Sequence, residues 1–122
     1  MRFFKSIQCA WHGLKICFQT ERNYRIQFRI TGIAFLSGIV FGINKFEWIT
    51  ILLCSSLVIG LEMVNTAIEK LSDIVTTSIH PGIKKVKDVA AGAVLLVSVS
   101  SLIAGLAIFL PKIEVFIETI LK

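Results

Sequence analysis

Four polar residues recur at helical spacing within a largely apolar stretch of this 122-residue chain. On a helix that turns about 100° per residue, an arc of about 80° contains all four, namely Glu62, Asn65, Glu69 and Asp73. Glu62 lies inside an otherwise apolar run, where an unpaired charge costs several kcal/mol, so its presence indicates a function. A polar seam between membrane helices also fits the pattern, because amides and hydroxyls hydrogen-bond across such helices.

The carboxylates of this polar stripe suit Mg²⁺, which takes hard oxygen ligands, usually one or two from the protein and the rest from water and phosphate. A basic loop that contains Lys84, Lys85 and Lys87 follows the stripe, and a magnesium site beside lysines suggests a nucleotide. The chain contains neither a G-x-x-x-x-G-K-[ST] loop nor a dinucleotide fingerprint, so side chains and metal would have to hold that nucleotide. Its three cysteines lack metal-ligand spacing and suggest neither a zinc site nor a disulfide framework.

Composition places these residues in a membrane protein. The chain is 55% apolar with a mean hydropathy of +0.80, which is too apolar for an ordinary soluble domain. A spanning helix needs roughly 20 mostly apolar residues, and three stretches qualify, at about 26–43, 48–71 and 89–110. We expect the third span to end at Pro111, since proline cannot extend a helix. The sequence therefore predicts an all-α integral membrane protein with three transmembrane helices in a single domain over residues 1–122.

An amphipathic segment, at about residues 2–19, precedes the first span. Its apolar residues fall on one helical face and its basic and polar residues on the other, which is typical of a helix that lies in the membrane plane. Ten of the 13 Lys and Arg residues lie in the N-terminal segment, up to Arg29, and in the loop from Lys70 to Asp88. Lysine and arginine concentrate on the cytoplasmic side of membrane proteins, so both regions are predicted to be cytoplasmic.

The formal net charge of +5 indicates anionic partners. In a soluble chain this charge would suggest nucleic acid, but attraction to anionic headgroups and to phosphate explains it in a membrane protein. We therefore expect no nucleic-acid partner. The N-terminus lacks the continuous apolar core and the cleavage site of a signal peptide, and we expect the mature chain to start near Met1.

The polar stripe belongs to a longer pattern. Residues 61–73, LEMVNTAIEKLSD, are followed by His80 and by residues 87–93, KDVAAGA. This pattern resembles the signature of the prokaryotic diacylglycerol kinase family, which includes diacylglycerol kinase and undecaprenol kinase. The resemblance extends from Arg2 to about Pro111 and implies a homotrimer of three-span subunits whose active sites are shared between neighbours. It also implies ATP as phosphoryl donor, Mg²⁺, a membrane lipid as substrate, and a multi-pass protein of the bacterial inner (cytoplasmic) membrane whose active site faces the cytoplasm.

The resemblance further implies a role for each polar residue. Glu62 is expected to be the catalytic base beside the lipid hydroxyl, while Glu21 and Glu69 are expected to hold the nucleotide-bound metal. The nucleotide-binding set is expected to be Arg2, Glu21, Glu69, His80, Lys87 and Asp88. The residues expected to contact the lipid substrate are Arg25, Glu62 and Asn65, with Asp73 in a supporting role.

The sequence thus predicts a membrane lipid kinase that transfers the γ-phosphate of ATP to a lipid hydroxyl. The alternative is a small non-catalytic transporter or scaffold that uses Glu62 as an intramembrane carboxylate. Glu21-Arg22-Asn23, followed by Arg25, resembles the undecaprenol kinase branch of the family, and the choice between undecaprenol and diacylglycerol stays open.

Overall fold

Four α-helices joined by short turns make up the fold, in a computed structural model that describes residues 2–122. Met1, which opens the predicted domain and is the expected start of the mature chain, lies outside the described residues. The helices are α1 (Arg2–Thr20), α2 (Arg22–Phe41), α3 (Lys45–Val75) and α4 (Pro81–Leu121). α3 is the central element, because it packs along α4 and α2 and also contacts α1. The predicted all-α class is confirmed, and residues 2–122 contain no strand.

The predicted surface helix, residues 2–19, is confirmed as a helix that ends one residue later, at Thr20. Cys17 is its one buried residue, and large apolar side chains such as Phe3 and Trp11 are exposed. A soluble domain would cover such a face, whereas a helix in the membrane plane presents it to lipid. Its position in that plane stays a prediction.

Caps on both sides hold the turn between α2 and α3. Gly42 ends α2 in the left-handed conformation, with φ of 61°, where a side chain would be strained. The Asn44 side-chain oxygen accepts a hydrogen bond from the Glu47 backbone N–H at 2.9 Å, and the Glu47 carboxylate accepts one from the Asn44 backbone N–H at 3.1 Å. This reciprocal capping box sets the direction in which α3 starts.

α4 contradicts one expectation from the sequence. The third span is predicted to end at Pro111, but α4 continues for ten residues beyond it. A proline inside a long helix removes one hydrogen bond without ending the helix where other contacts hold the following turns. Here Lys112 Nζ forms an ion pair with Glu47 Oε2 of α3 at 3.1 Å, and the ring of Phe116 packs edge-on against Phe41 of α2. The prediction that Pro111 ends the helix is therefore wrong.

Among the described residues, α3 and α4 are the two helices long and apolar enough to cross a membrane. α4 is not the core helix of a soluble fold, because it contains no buried residue and most of its large apolar side chains are exposed. At 1.5 Å per residue α3 and α4 are about 46 and 61 Å long, so each extends beyond a hydrocarbon core of about 30 Å. α2, the predicted first span, is less apolar because it contains Arg25, Gln27 and Arg29. The count of three spans stays a prediction.

Candidate active site

The carboxylates of the polar stripe meet a third acidic residue from the corner between α1 and α2. Glu62 is half-buried on α3, and its carboxylate lies within electrostatic range of the carboxylates of Glu69 and Glu21. Glu21 is the N-cap residue of α2, but its side chain accepts no capping hydrogen bond, so its carboxylate is available to a ligand. Like charges within electrostatic range repel one another, and a cation nearby would relieve that repulsion.

Asn65 lies in the same stripe, and its amide is only partly satisfied. Its Nδ2 donates a hydrogen bond to Glu69 Oε1 at 3.2 Å, and this bond orients the amide, because the reverse orientation would set two oxygens against each other. Its Oδ1 is buried and accepts no hydrogen bond from the described residues. A buried oxygen without a donor costs about 1–3 kcal/mol, so the site favours a ligand that brings an O–H or N–H group.

The three lysines predicted to lie in a loop are in the first turns of α4 instead, and one ion pair connects them to the stripe. Lys87 Nζ, in the first turns of α4, lies 3.0 Å from Asp73 Oδ1 at the end of α3. An ammonium group has three donors, so this bond leaves two for other partners. Asp88 is instead paired with Lys84, one turn away on α4, at 2.7 Å. The structure therefore brings Lys87 to the stripe, whereas it engages Asp88 in a local pair within α4.

His80 has a structural role that its sequence context does not reveal directly. It is the N-cap residue of α4, and its Nδ1 accepts hydrogen bonds from the backbone N–H groups of Gly82 at 3.0 Å and Ile83 at 3.4 Å. Pro81, at the first helical position, is the sequence signal for such a helix start. His80 thus anchors the helix end that carries Lys87, and its predicted nucleotide contact stays a prediction.

The two predicted arginines are placed differently from the carboxylates. Arg25 is half-buried, and its Nη1 donates hydrogen bonds to the backbone oxygens of Phe18 at 3.3 Å and Gln19 at 3.2 Å, which caps the end of α1. Arg2 lies in the first turn of α1, about 28 Å from Glu21 along the helix axis. One chain therefore does not bring Arg2 to the carboxylates, and both predicted contacts stay predictions.

The predicted metal ligands, Glu21 and Glu69, form a pair of carboxylates rather than a complete metal site. Residues 2–122 form no group of three or more His, Cys, Asp or Glu side chains that could hold a metal ion by themselves. The pair Glu21 and Glu69 nevertheless fits Mg²⁺, which commonly takes one or two protein carboxylates and completes its coordination with water and phosphate. A metal at this pair would therefore depend on a phosphate ligand for the rest of its coordination.

Two buried residues lie beneath the corner between α1 and α2: Cys17, expected from the sequence to be a buried or interfacial thiol, and Tyr24, which the sequence analysis did not single out. Tyr24 is 1% exposed and packs edge-on against Phe28, with ring centroids 4.9 Å apart, and Cys17 is 6% exposed. Burial raises the pKa of the Cys17 thiol, and the nearby Glu21 carboxylate raises it further. The Tyr24 hydroxyl has no hydrogen-bond partner among the described residues. Their sequence signal is helical spacing, four residues before and three after Glu21.

An all-helical chain with two membrane-length apolar helices, and with carboxylates and a lysine along the C-terminal half of the central helix, defines a small membrane protein with a polar site. Residues 8–109 match the family described as prokaryotic diacylglycerol kinase, and the chain belongs to that family. The resemblance inferred from residues 61–93 is therefore confirmed.

Curated relatives from three organisms show the same family relationship by sequence identity. The chain is 40% identical to the undecaprenol kinase of Bacillus subtilis (strain 168) over 112 residues, which cover 92% of this chain and 91% of that protein. It is 37% identical to the diacylglycerol kinase of Synechocystis sp. over 110 residues, which cover 88% of this chain and 62% of that protein. It is 30% identical to the diacylglycerol kinase of Helicobacter pylori (strain J99) over 95 residues, which cover 78% of this chain and 74% of that protein. The chain thus belongs to a family of bacterial membrane lipid kinases.

Proposed function

We propose that this protein is an ATP- and Mg²⁺-dependent lipid kinase, which transfers the γ-phosphate of ATP to a lipid hydroxyl at the cytoplasmic face of the bacterial inner membrane. The observation that carries the proposal is that the carboxylates of Glu69 and Glu21 lie within electrostatic range of Glu62, in the C-terminal half of α3. A transporter could use one intramembrane carboxylate, but it has no need of three acids beside an anchored lysine. Phosphoryl transfer needs both, since cations neutralise the phosphates and a carboxylate receives the hydroxyl proton.

Each residue of the site then has a chemical task. Glu62 accepts the proton of the lipid hydroxyl as the oxygen attacks the γ-phosphate. The buried Oδ1 of Asn65, which lacks a donor, accepts a hydrogen bond from the lipid or from a bound water and so positions the reacting group. Lys87, anchored by Asp73, directs its remaining donors to the phosphates. Glu21 and Glu69 would hold Mg²⁺ together with the nucleotide, and the metal would supply further positive charge beside the phosphates.

The oligomer proposed for this function is a homotrimer with sites shared between subunits. Two features of the single chain support a shared site. Arg2, expected at the nucleotide, lies about 28 Å from Glu21 along α1, so a neighbouring subunit would have to supply it. The large apolar side chains exposed on α3 and α4 also leave ample surface for contacts between subunits as well as with lipid.

We propose undecaprenol, rather than diacylglycerol, as the preferred substrate. The support is the Bacillus subtilis relative, which is matched over about nine-tenths of both chains, together with the Glu21-Arg22-Asn23 sequence at the α1–α2 corner. The Synechocystis relative extends well beyond the region that this chain matches. A comparison of the two lipids in one assay decides between them.

The test of the proposed function is phosphate transfer by the purified protein in mixed micelles, with radiolabelled ATP and with undecaprenol and diacylglycerol offered in parallel. We expect labelled lipid phosphate, formed faster from undecaprenol. Glu62→Gln should abolish it while leaving the folded oligomer intact, because the amide keeps the volume but cannot accept a proton. Glu114→Gln, an exposed acid beyond Pro111, is the matched control and should retain activity. Turnover close to that of the parent in Glu62→Gln would contradict the general-base role.

A further inference from the structure

A groove runs between α3 and α4, on the face of α3 that adjoins the polar stripe. Its volume is about 470 Å³, and its walls are almost entirely apolar. α4 lines it with Val89, Ala90 and Ala93, and α3 contributes aliphatic side chains together with Asn65 at the border of the stripe. The one charged residue in its lining is Lys85, at the end nearest the loop.

Lys85 differs from its two neighbouring lysines in its electrostatic surroundings. Lys84 is paired with Asp88 at 2.7 Å, and Lys87 is paired with Asp73 at 3.0 Å. Lys85 forms no ion pair with any residue from 2 to 122, and its side chain is exposed. The groove therefore ends in a positive charge that is free to bind an anion.

The depth of the groove matches that of a lipid in a membrane. Lys85 lies four residues before Val89, where the apolar segment of α4 begins, so we expect its ammonium at the level of the headgroups. From Lys85 to Ala93 the helix rises about 12 Å, all of it along apolar wall. A free phosphate would leave that wall uncovered, whereas a lipid chain would cover it.

We propose that this groove binds one anionic phospholipid of the cytoplasmic leaflet, with its phosphate on the Lys85 ammonium and an acyl chain along Val89, Ala90 and Ala93. Charge and shape together favour a lipid. A phosphate headgroup neutralises Lys85 while an acyl chain of the same molecule covers the apolar wall, so one ligand satisfies both features of the groove. This lipid is distinct from the uncharged alcohol on which the kinase acts.

The test measures lipid binding to the full-length protein in detergent micelles, by native mass spectrometry, as phosphatidylglycerol is titrated. One lysine at a membrane surface contributes about 1 kcal/mol to the binding of anionic lipid, so Lys85→Ala should weaken the binding about five-fold. Lys84→Ala removes the same charge but one that already has a partner, and should change the affinity much less. Phosphatidylcholine, which carries no net charge, should bind weakly to every variant.

A second pair of variants tests the apolar wall. Ala90→Leu fills the groove and should reduce the phosphatidylglycerol bound at saturation, whereas Ala91→Leu, on the exposed side of α4 outside the groove, should not. Equal losses from Lys84→Ala and Lys85→Ala would overturn the proposal, because they would show a diffuse surface potential. Displacement of the lipid by an equal concentration of inorganic phosphate would overturn it as well. So would an Ala90→Leu variant that dissociates the oligomer but binds lipid normally, since the groove would then be a subunit interface.

Discussion

Replacing Gly38 with alanine tests the packing that orients α2 against α3. Gly38 is buried, and a Cβ at this position would lie 2.7 Å from Cη2 of Trp48 and 2.9 Å from Cδ1 of Ile43. Carbon atoms pack best at about 3.5–4.0 Å, so the indole ring would have to move by about 1 Å. That ring is already packed against Phe35, with centroids 5.5 Å apart, and has little freedom to yield. The substitution should therefore strain the helix pair that carries the site.

The magnitude follows from two opposing effects on the free energy of unfolding. Overpacking of a well-filled site costs about 1–3 kcal/mol, while alanine gains up to about 1 kcal/mol over glycine inside a helix. Gly32→Ala, also in α2, is the matched control, because a Cβ there would have no neighbour within 4 Å. We expect Gly38→Ala to be less stable than Gly32→Ala by about 1–3 kcal/mol.

The assay is unfolding of the protein in detergent, followed by circular dichroism, for each variant alone and in a Trp48→Phe background. The smaller phenyl ring lacks the atoms nearest to Gly38, so it should reduce the cost of the alanine. A Gly38→Ala variant as stable as Gly32→Ala in both backgrounds would refute the close approach of α2 to Trp48.

Three further predictions concern the candidate site. Lys87→Ala should lower the turnover number at saturating lipid by about 100-fold or more, because a preorganised cation at the phosphates acts in the transition state. Lys84→Ala, the control, should have a small effect. Equal and modest losses in both variants would leave the phosphate contact unidentified. Glu69→Ala should raise the Mg²⁺ concentration required for half-maximal activity, and a magnesium titration that overlays the parent would place the metal elsewhere. Cys17 should react with a maleimide far more slowly than the exposed Cys9, because Cys17 is buried and its thiol pKa is raised. The two rates are measured by mass spectrometry of peptides. Similar rates would contradict the burial of Cys17 at the corner between α1 and α2.

The sequence by itself determined the class of the fold, the presence of the helices and the identity of the polar stripe. These features depend on local patterns: apolar runs of membrane length, an amphipathic period near the N-terminus, and four polar residues that one helix must present on one side. The predicted helix 48–71 lies entirely within α3 for this reason. The family could also be recognised from the sequence, since its signature lies within one continuous stretch of residues 61–93.

Only the tertiary structure decided where the helices end and which charged side chains form ion pairs. α4 continues past Pro111 because Lys112 reaches Glu47 on another helix, a contact that no local pattern contains. The three lysines near the start of α4 look equivalent in the sequence. In the structure Lys84 forms an ion pair within its own helix, Lys87 reaches α3, and Lys85 lines the groove. The physical reason is that a charge is neutralised by whatever lies within a few ångströms of it, and folding brings together groups that are far apart along the chain.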